Sequence, residues 1–471
     1  MTSRAMLDVE QLLAAYRSGS ITPVEATRAA LARIEALNDQ VNAVVLVCPE
    51  SALAAAEQSA RRWEAGTPLG PADGVPTTIK DIFLAAGWPF RRGSLLTEDD
   101  PVADEDAPVV ARLREGGAVL LGKNATPEFA WKGVTDSPHH GVTGNPWGAH
   151  LTAGGSSGGG AAAVGLGMGP WTVGTDGGGS VRIPASFTGT VAFKPTYGRI
   201  PMYPPSPYGT LAHAGPMTRT VTDAAIMLDV LAQPDYRDWS ALAPTGSAFT
   251  NYLDHGVAGL RIALSPTLGY GTNDPQITAA LYAAADVLAD AGAIVTEVDP
   301  PITDPVDAFH ALWFAGAAKV VEGFGPGAIE RIDPMLRWAI EAYGRIDASA
   351  YLDATGTRMD LGVQMGAFHT SYDLLLTPTM PIAAFPAGQE APDGWRSQMW
   401  TSWSPYTYPF NLTQQPALSV PCGYTDDGRP IGLQIVGARH DDGRVLGAGR
   451  AYQERTDWHQ RVPPMLAGAH G

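Results

Sequence analysis

Two glycine-rich patches carry serines, and the serine that ends the second could attack a carbonyl. Ala153 to Gly160 reads Ala-Gly-Gly-Ser-Ser-Gly-Gly-Gly, and downstream Gly174-Thr175-Asp176-Gly177-Gly178-Gly179-Ser180 runs three glycines into a serine. Consecutive glycines let backbone N–H groups approach a ligand and point the same way, as stabilising an oxyanion requires. A serine hydroxyl is a weak nucleophile until a base takes its proton. The ten histidines include His139, His140, His150, His213 and His369, and none has a carboxylate at a telling spacing. Lys80 is the more interesting base. Val75 to Phe83 reads as an apolar strand interrupted by this one lysine. Burial there disfavours the ammonium and lowers its pKa by up to about 3–5 units, leaving an amine base near neutral pH. The competing structural readings are a lysine snorkelling from a strand end or paired with Asp81, and glycine-serine patches that are ordinary turns or helix caps.

Alternating strands and helices must position these groups. Thr22-Pro23-Val24-Glu25 combines a capping hydroxyl, a first-turn proline and a carboxylate, ahead of apolar residues at helical spacing. A strand is expected over 43–47, a helix over 49–63, the strand carrying Lys80 over 75–83, a helix over 109–114 and a strand over 118–121. The segment 141–198 is poor in charge and rich in Gly, Ser, Thr and Pro, and reads as fixed turns with a small-residue helix over 161–168. Beyond it come a helix over 221–232 and a strand–helix–strand crossover over 260–298. Residues 303–370 read as mostly helical. A strand over 374–376, a strand pair at 417–420 and 433–436, and a helix over about 443–454 close the chain. The expected fold is α/β: one large α/β/α layered domain, with a central mixed sheet flanked by helices.

At 471 residues the chain is long enough for a large core, and 45% hydrophobic with 17% charged residues excludes disorder and coiled coil. The 48 acidic and 31 basic residues give a net charge of −17, which argues against a nucleic-acid partner. No run approaches the roughly 18 apolar residues of a membrane span, and the opening from Met1 to Arg17 lacks an apolar leader. The two cysteines, Cys48 and Cys422, form no disulfide framework or spaced metal-ligand pair. A cytoplasmic protein, monomeric or homodimeric, without metal or organic cofactor, is expected.

Three clusters together resemble the amidase signature family: Gly154 to Gly159, Gly174 to Ala185, and Phe193-Lys194-Pro195-Thr196-Tyr197-Gly198-Arg199. Similar stretches extend along nearly the whole chain, from Gly74-Val75-Pro76 and Gly122 to Phe129 down to Leu376-Thr377-Pro378-Thr379, Pro409-Phe410-Asn411-Leu412 and Gln415 to Pro421. The resemblance implies an amidase signature domain over 1–471 with its catalytic core at about 70–220. It implies Ser180 as nucleophile, Ser156 as bridging hydroxyl on a cis Gly155–Ser156 bond, and Lys80 as base. The N–H groups of Gly177, Gly178, Gly179 and Ser180 would form the oxyanion hole. The family often has Thr or Ile where this chain has Gly177.

The substrate is less legible. Trp131, Tyr203 and Trp403 are candidate pocket aromatics, and the stiff run 200–208 is a candidate rim; with them, an apolar or aryl amide, anilide, carbamate or ester fits. The competing role within the family is the glutaminase subunit of a tRNA-dependent amidotransferase. There an arginine, here Arg358, would hold the substrate carboxylate, but the residues before Asn411 offer no aspartate for the amine. Two other readings are an α/β-hydrolase built on Gly154-Gly155-Ser156-Ser157-Gly158 with a Ser-His-acid triad, and a nucleotide-binding module using the glycine-rich turns. The first lacks a clear strand before the serine. The second lacks the P-loop pattern around Gly122-Lys123-Asn124.

Overall fold

In the computed structural model, residues 6–467 are described. The opening 1–5, part of the stretch read as lacking an apolar leader, lies outside the described residues. Eleven strands form one twisted sheet: β1 (Val44–Val47), β2 (Pro76–Lys80), β3 (Val119–Asn124), β4 (Trp171–Asp176), β5 (Val191–Lys194), β6 (His213–Thr218), β7 (Arg261–Leu264), β8 (Ile294–Glu297), β9 (Leu374–Pro378), β10 (Ala417–Tyr424) and β11 (Pro430–Gly437). Their spatial order is β1-β3-β2-β4-β6-β5-β10-β11-β9-β7-β8. The sheet is mixed. β2 runs parallel to β3 and β4, β7 runs parallel to β8 and β9, and the strands between them pair antiparallel.

The period of two explains how one sheet serves two cores. Ile262, Leu264, Leu374, Leu376, Leu433 and Ile435 enter one buried cluster, whereas Ala263, Leu375 and Val436 enter another. Helices cover both faces, so the expected layered architecture is the observed one. The first strong helix signal acts as expected: Thr22 Oγ1 accepts from Glu25 N at 3.2 Å and Glu25 Oε2 accepts from Thr22 N at 2.9 Å, opening the helix Pro23–Val41. The helix Pro275–Asp290 joins β7 to its parallel neighbour β8 as a crossover.

The turn-rich reading of 141–198 needs correction. It contains β4 and β5, both fully buried. Strands sealed on both faces show no polar alternation, and Gly174 inside β4 reads locally as a breaker. That glycine has a packing cause, since a Cβ there would lie 2.7 Å from Ser157 Oγ. The stretch before Ser156, expected as loop, includes a strand over Gly148–Thr152. It pairs with Gly144–Asn145 in a separate two-stranded ladder outside the main sheet, and Leu151 makes a single antiparallel bridge to Pro386. Among the described residues, no helix is long and apolar enough to cross a membrane.

Candidate active site

β2 and β4 are parallel neighbours, so Lys80 and Asp176 close their strands at the same edge of the sheet. Crevices outside the carboxyl ends of parallel strands are where open α/β sheets bind ligands. The loop after β4 carries Gly177 to Ser180 over that edge. The turn ahead of the buried helix Gly158–Gly165 brings in Ser156, across a cis Gly155–Ser156 bond. Lys80 Nζ lies 2.6 Å from Ser156 Oγ and 2.9 Å from Thr175 Oγ1. Lys80 is 1% exposed, and burial holds its amine well below the usual lysine range, against an opposing pull from the Asp176 carboxylate.

The pairing of Lys80 with Asp81 is not made. Asp81 turns to Lys123, at 3.0 Å, and to His140, at 3.2 Å. Ser156 is 0% and Ser180 6% exposed, so Ser180 presents the more accessible hydroxyl. No hydrogen bond joins the two serine hydroxyls among the described residues, though both line one cavity of about 160 Å³. Catalytic hydrogen bonds are often long before substrate is bound.

The glycine nest is held from behind by one carboxylate. Asp176 Oδ1 accepts from Gly179 N at 2.8 Å, and Asp176 Oδ2 accepts from Val181 N at 3.3 Å. Arg182 grips the same carboxylate through Nε at 2.9 Å and Nη2 at 2.8 Å, while Asn411 Nδ2 donates to it at 2.9 Å. Arg182 keeps Asp176 ionised far below the usual carboxylate range, despite complete burial. Of the four N–H groups expected to face an oxyanion, that of Gly179 donates to Asp176 instead. The N–H groups of Gly177, Gly178 and Ser180 donate to no protein group among the described residues. Gly179 has φ +127°, where a side chain is strained, and Gly177 has another reason to be glycine. A Cβ on Gly177 would lie 2.5 Å from the Trp313 ring, which stacks on Tyr208 with centroids 3.7 Å apart.

The cavity wall is mostly apolar and includes Ile82, Phe83, Phe90, Val109, Tyr208 and Trp313. Tyr203 lies in that wall, as does the whole proline-rich run 201–208. Trp131 and Trp403 do not. Trp131 is packed behind Trp313, whose Nε1 donates to its carbonyl at 3.0 Å, and Trp403 is stacked on Phe187 with Nε1 bound to Glu390 O at 2.9 Å. Both are core residues, the more frequent fate of a tryptophan. Among the described residues, no histidine lines this cavity. His213 lies behind the nest, its Nδ1 2.8 Å from Leu211 O, and burial lowers its pKa well below the usual imidazole range.

Thr175, Asp176, Arg182 and Asn411 all lie within the patterned stretches, yet their types and spacing gave no hint of what they hold. Trp313 and Arg92 carried no sequence signal, since neither lies in a patterned stretch. The carboxylates of Asp136, Asp333 and Glu390 are close enough together to share a cation. Lys132 Nζ sits among them, at 2.6 Å from Asp136, 3.1 Å from Asp333 and hydrogen-bonded to Glu390.

The family model for amidases matches residues 25–446. The chain is 36% identical over 466 residues to an acylamidase from Rhodococcus erythropolis, covering 97% of each. It is 37% identical over 495 residues to a glutamyl-tRNA(Gln) amidotransferase subunit from Chloroflexus aurantiacus, covering 99% of this chain and 100% of that one. Among solved structures it superposes on a bacterial aryl acylamidase of the amidase signature family with a TM-score of 0.91, 30% identity and 98% coverage of both chains. With the two serine patches on one cavity and a buried lysine behind them, this likeness along the whole chain establishes that the protein is a hydrolase belonging to the amidase signature family.

Proposed function

We propose that the chain is a free-standing amidase that cleaves the C–N bond of small apolar or aryl amides, with anilides, carbamates and esters within reach of the same machinery. The carrying observation is the sealed amine of Lys80, 2.6 Å from Ser156 Oγ, at a cavity that also presents Ser180. In this reading the whole chain is one amidase signature domain with its catalytic core at about 70–220. Neutral Lys80 takes a proton from Ser156 as Ser156 takes one from Ser180, and Ser180 Oγ bonds to the scissile carbon. The N–H groups of Gly177, Gly178 and Ser180 receive the oxyanion. Collapse breaks the C–N bond, and the relay returns the proton to the leaving amine. Water then cleaves the acyl–Ser180 ester by the same route.

The test is to quench turnover of an activated acyl p-nitroanilide and locate the acyl group by peptide mass mapping. The acyl mass is expected on Ser180. An acyl group found on Ser156, or on no serine during turnover, overturns the assignment.

The glutaminase reading also has a relative behind it. Arg358, its candidate for holding the substrate carboxylate, donates to Leu412 O at 2.7 Å and to Thr210 at 2.6 and 3.0 Å, and is not among the residues lining the Ser180 cavity. That placement supports the free-standing amidase. Comparing turnover of acyl p-nitroanilides, aryl carbamates and free glutamine separates the two, with the anilides expected to be best and glutamine the poorest. Both cysteines are free thiols, which supports the cytoplasm as its location.

The base sets a pH dependence. Lys80 works only when neutral, and burial lowers its pKa, so the active fraction grows as pH rises and is lost on the acid side. A pH profile of kcat/KM for a neutral anilide should show an acid limb ending well below the ordinary lysine range. A flat rate from about pH 5 to about 9 contradicts a titrating base.

A further inference from the structure

Among the described residues, Arg92 is the one charged side chain lining the cavity that holds Ser180. Its backbone is fixed: its N–H donates to Asp81 Oδ2 at 3.0 Å, its carbonyl accepts from Phe129 N at 2.8 Å, and its φ is +53°. Three aromatic rings hold the guanidinium, with centroids 4.8 Å away for Phe90, 5.3 Å for Phe129 and 5.4 Å for Phe324. Aromatic faces attract a cation but leave its in-plane N–H donors free. Among the described residues the guanidinium makes no hydrogen bond, and its Nε is buried without a partner. The one described carboxylate within ion-pair reach, Asp100, is 3.9 Å away with its side chain 44% exposed. A pair that loose and wet contributes little.

The one buried donor, Nε–H, is costly without an acceptor, while the side chain as a whole is 24% exposed; a guanidinium is shaped for a carboxylate, which it can engage through two parallel hydrogen bonds. The surrounding protein carries a net charge of −17 and would otherwise repel an anion. We propose that Arg92 is a specificity residue that receives a carboxylate carried by the substrate away from the scissile amide. The preferred substrates are then amides that pair an apolar or aryl body with a free carboxylate. This rests on the amidase reading of the same cavity.

The test compares the neutral anilide butyranilide with two carboxylate-bearing anilides: succinic acid monoanilide, charged on the acyl side, and 4-carboxyacetanilide, charged on the amine side. The native enzyme is expected to favour one carboxylate arm over the neutral anilide by about tenfold or more in kcat/KM, chiefly through KM. Which arm is favoured tells which side of the amide faces Arg92. In Arg92→Gln the charged-to-neutral ratio should fall close to one, and Arg92→Lys should restore part of it. A native ratio near or below one for both arms, or a ratio that Arg92→Gln leaves untouched, overturns the proposal. Calorimetric binding of the two carboxylate anilides to the native protein and Arg92→Gln reads the same contact without turnover. Loss of binding in the variant upholds Arg92 even if no anilide is cleaved, a result that would sink the amidase reading alone. Equal binding sinks Arg92 while hydrolysis of butyranilide leaves the amidase reading standing.

Discussion

Replacing Lys80 with Met or Ala is expected to lower kcat/KM for an acyl p-nitroanilide by at least about 10²–10⁴-fold, the usual worth of a positioned base. The loss should be larger if the relay acts as a unit, because removing one member then disables the others. The amine is sealed from solvent, so water cannot readily take its place beside Ser156 Oγ. Lys80→Met keeps most of the buried volume and should preserve the fold. Lys80→Ala leaves a cavity and costs about 2–4 kcal/mol of stability, which a thermal melt would register separately from activity. Undiminished turnover by a folded Lys80→Met variant removes the base from the scheme. A Ser-His-acid enzyme would respond in the opposite way, surviving this change and failing on loss of one histidine. His213 is the informative control, being buried behind the nest but outside the cavity wall.

How much of this was legible beforehand depends on what each residue had to signal. Lys80 stood out because a charge interrupts an apolar strand, and that anomaly survives folding as a buried amine. The serines and glycines stood out by composition and by resemblance to a known pattern. The strand that carries Asp176 was hidden, because a segment buried on both faces has no alternation and Gly174 and Thr175 imitate a turn. The hydrogen bond that ties Gly179 N–H to Asp176 was likewise invisible, since it depends on where that carboxylate points. Trp131 and Trp403 failed as pocket residues because type and sequence proximity do not tell which face of a core an aromatic ring occupies. Trp313 and Arg92 come from segments distant in sequence from the serines and reach the cavity that Ser180 lines only through the fold. Gly177 shows the same limit: its departure from the common Thr or Ile makes sense only with the Trp313 ring against it.

Asp176→Asn is expected to destabilise the fold strongly and to lower activity as well. The carboxylate is 0% exposed, as is Arg182, and the pair forms two hydrogen bonds in a setting that excludes water. Removing the negative charge leaves the guanidinium buried without a counter-charge, its remaining acceptors being the neutral Thr407 O, Gln434 Oε1 and Asn411 Oδ1. Breaking a buried pair on one side costs about 3–5 kcal/mol, a large part of the stability of any domain. The sign with pH follows from the depressed pKa. The stabilisation is fully present above the ordinary aspartate value of 3.8 and is lost as pH falls through the lower value held in the fold. The variant should therefore melt well below the native protein at neutral pH, with the gap narrowing only in strong acid. Activity should fall further than the folded fraction explains, because the same carboxylate fixes Gly179 and Val181 and so sets where the N–H groups of Gly177, Gly178 and Ser180 point. Thermal melts across pH, paired with kcat/KM on the folded fraction, check both halves. An Asp176→Asn protein with native stability would show that the pair contributes no net stability. One with native kcat/KM would show that the nest holds its shape unaided.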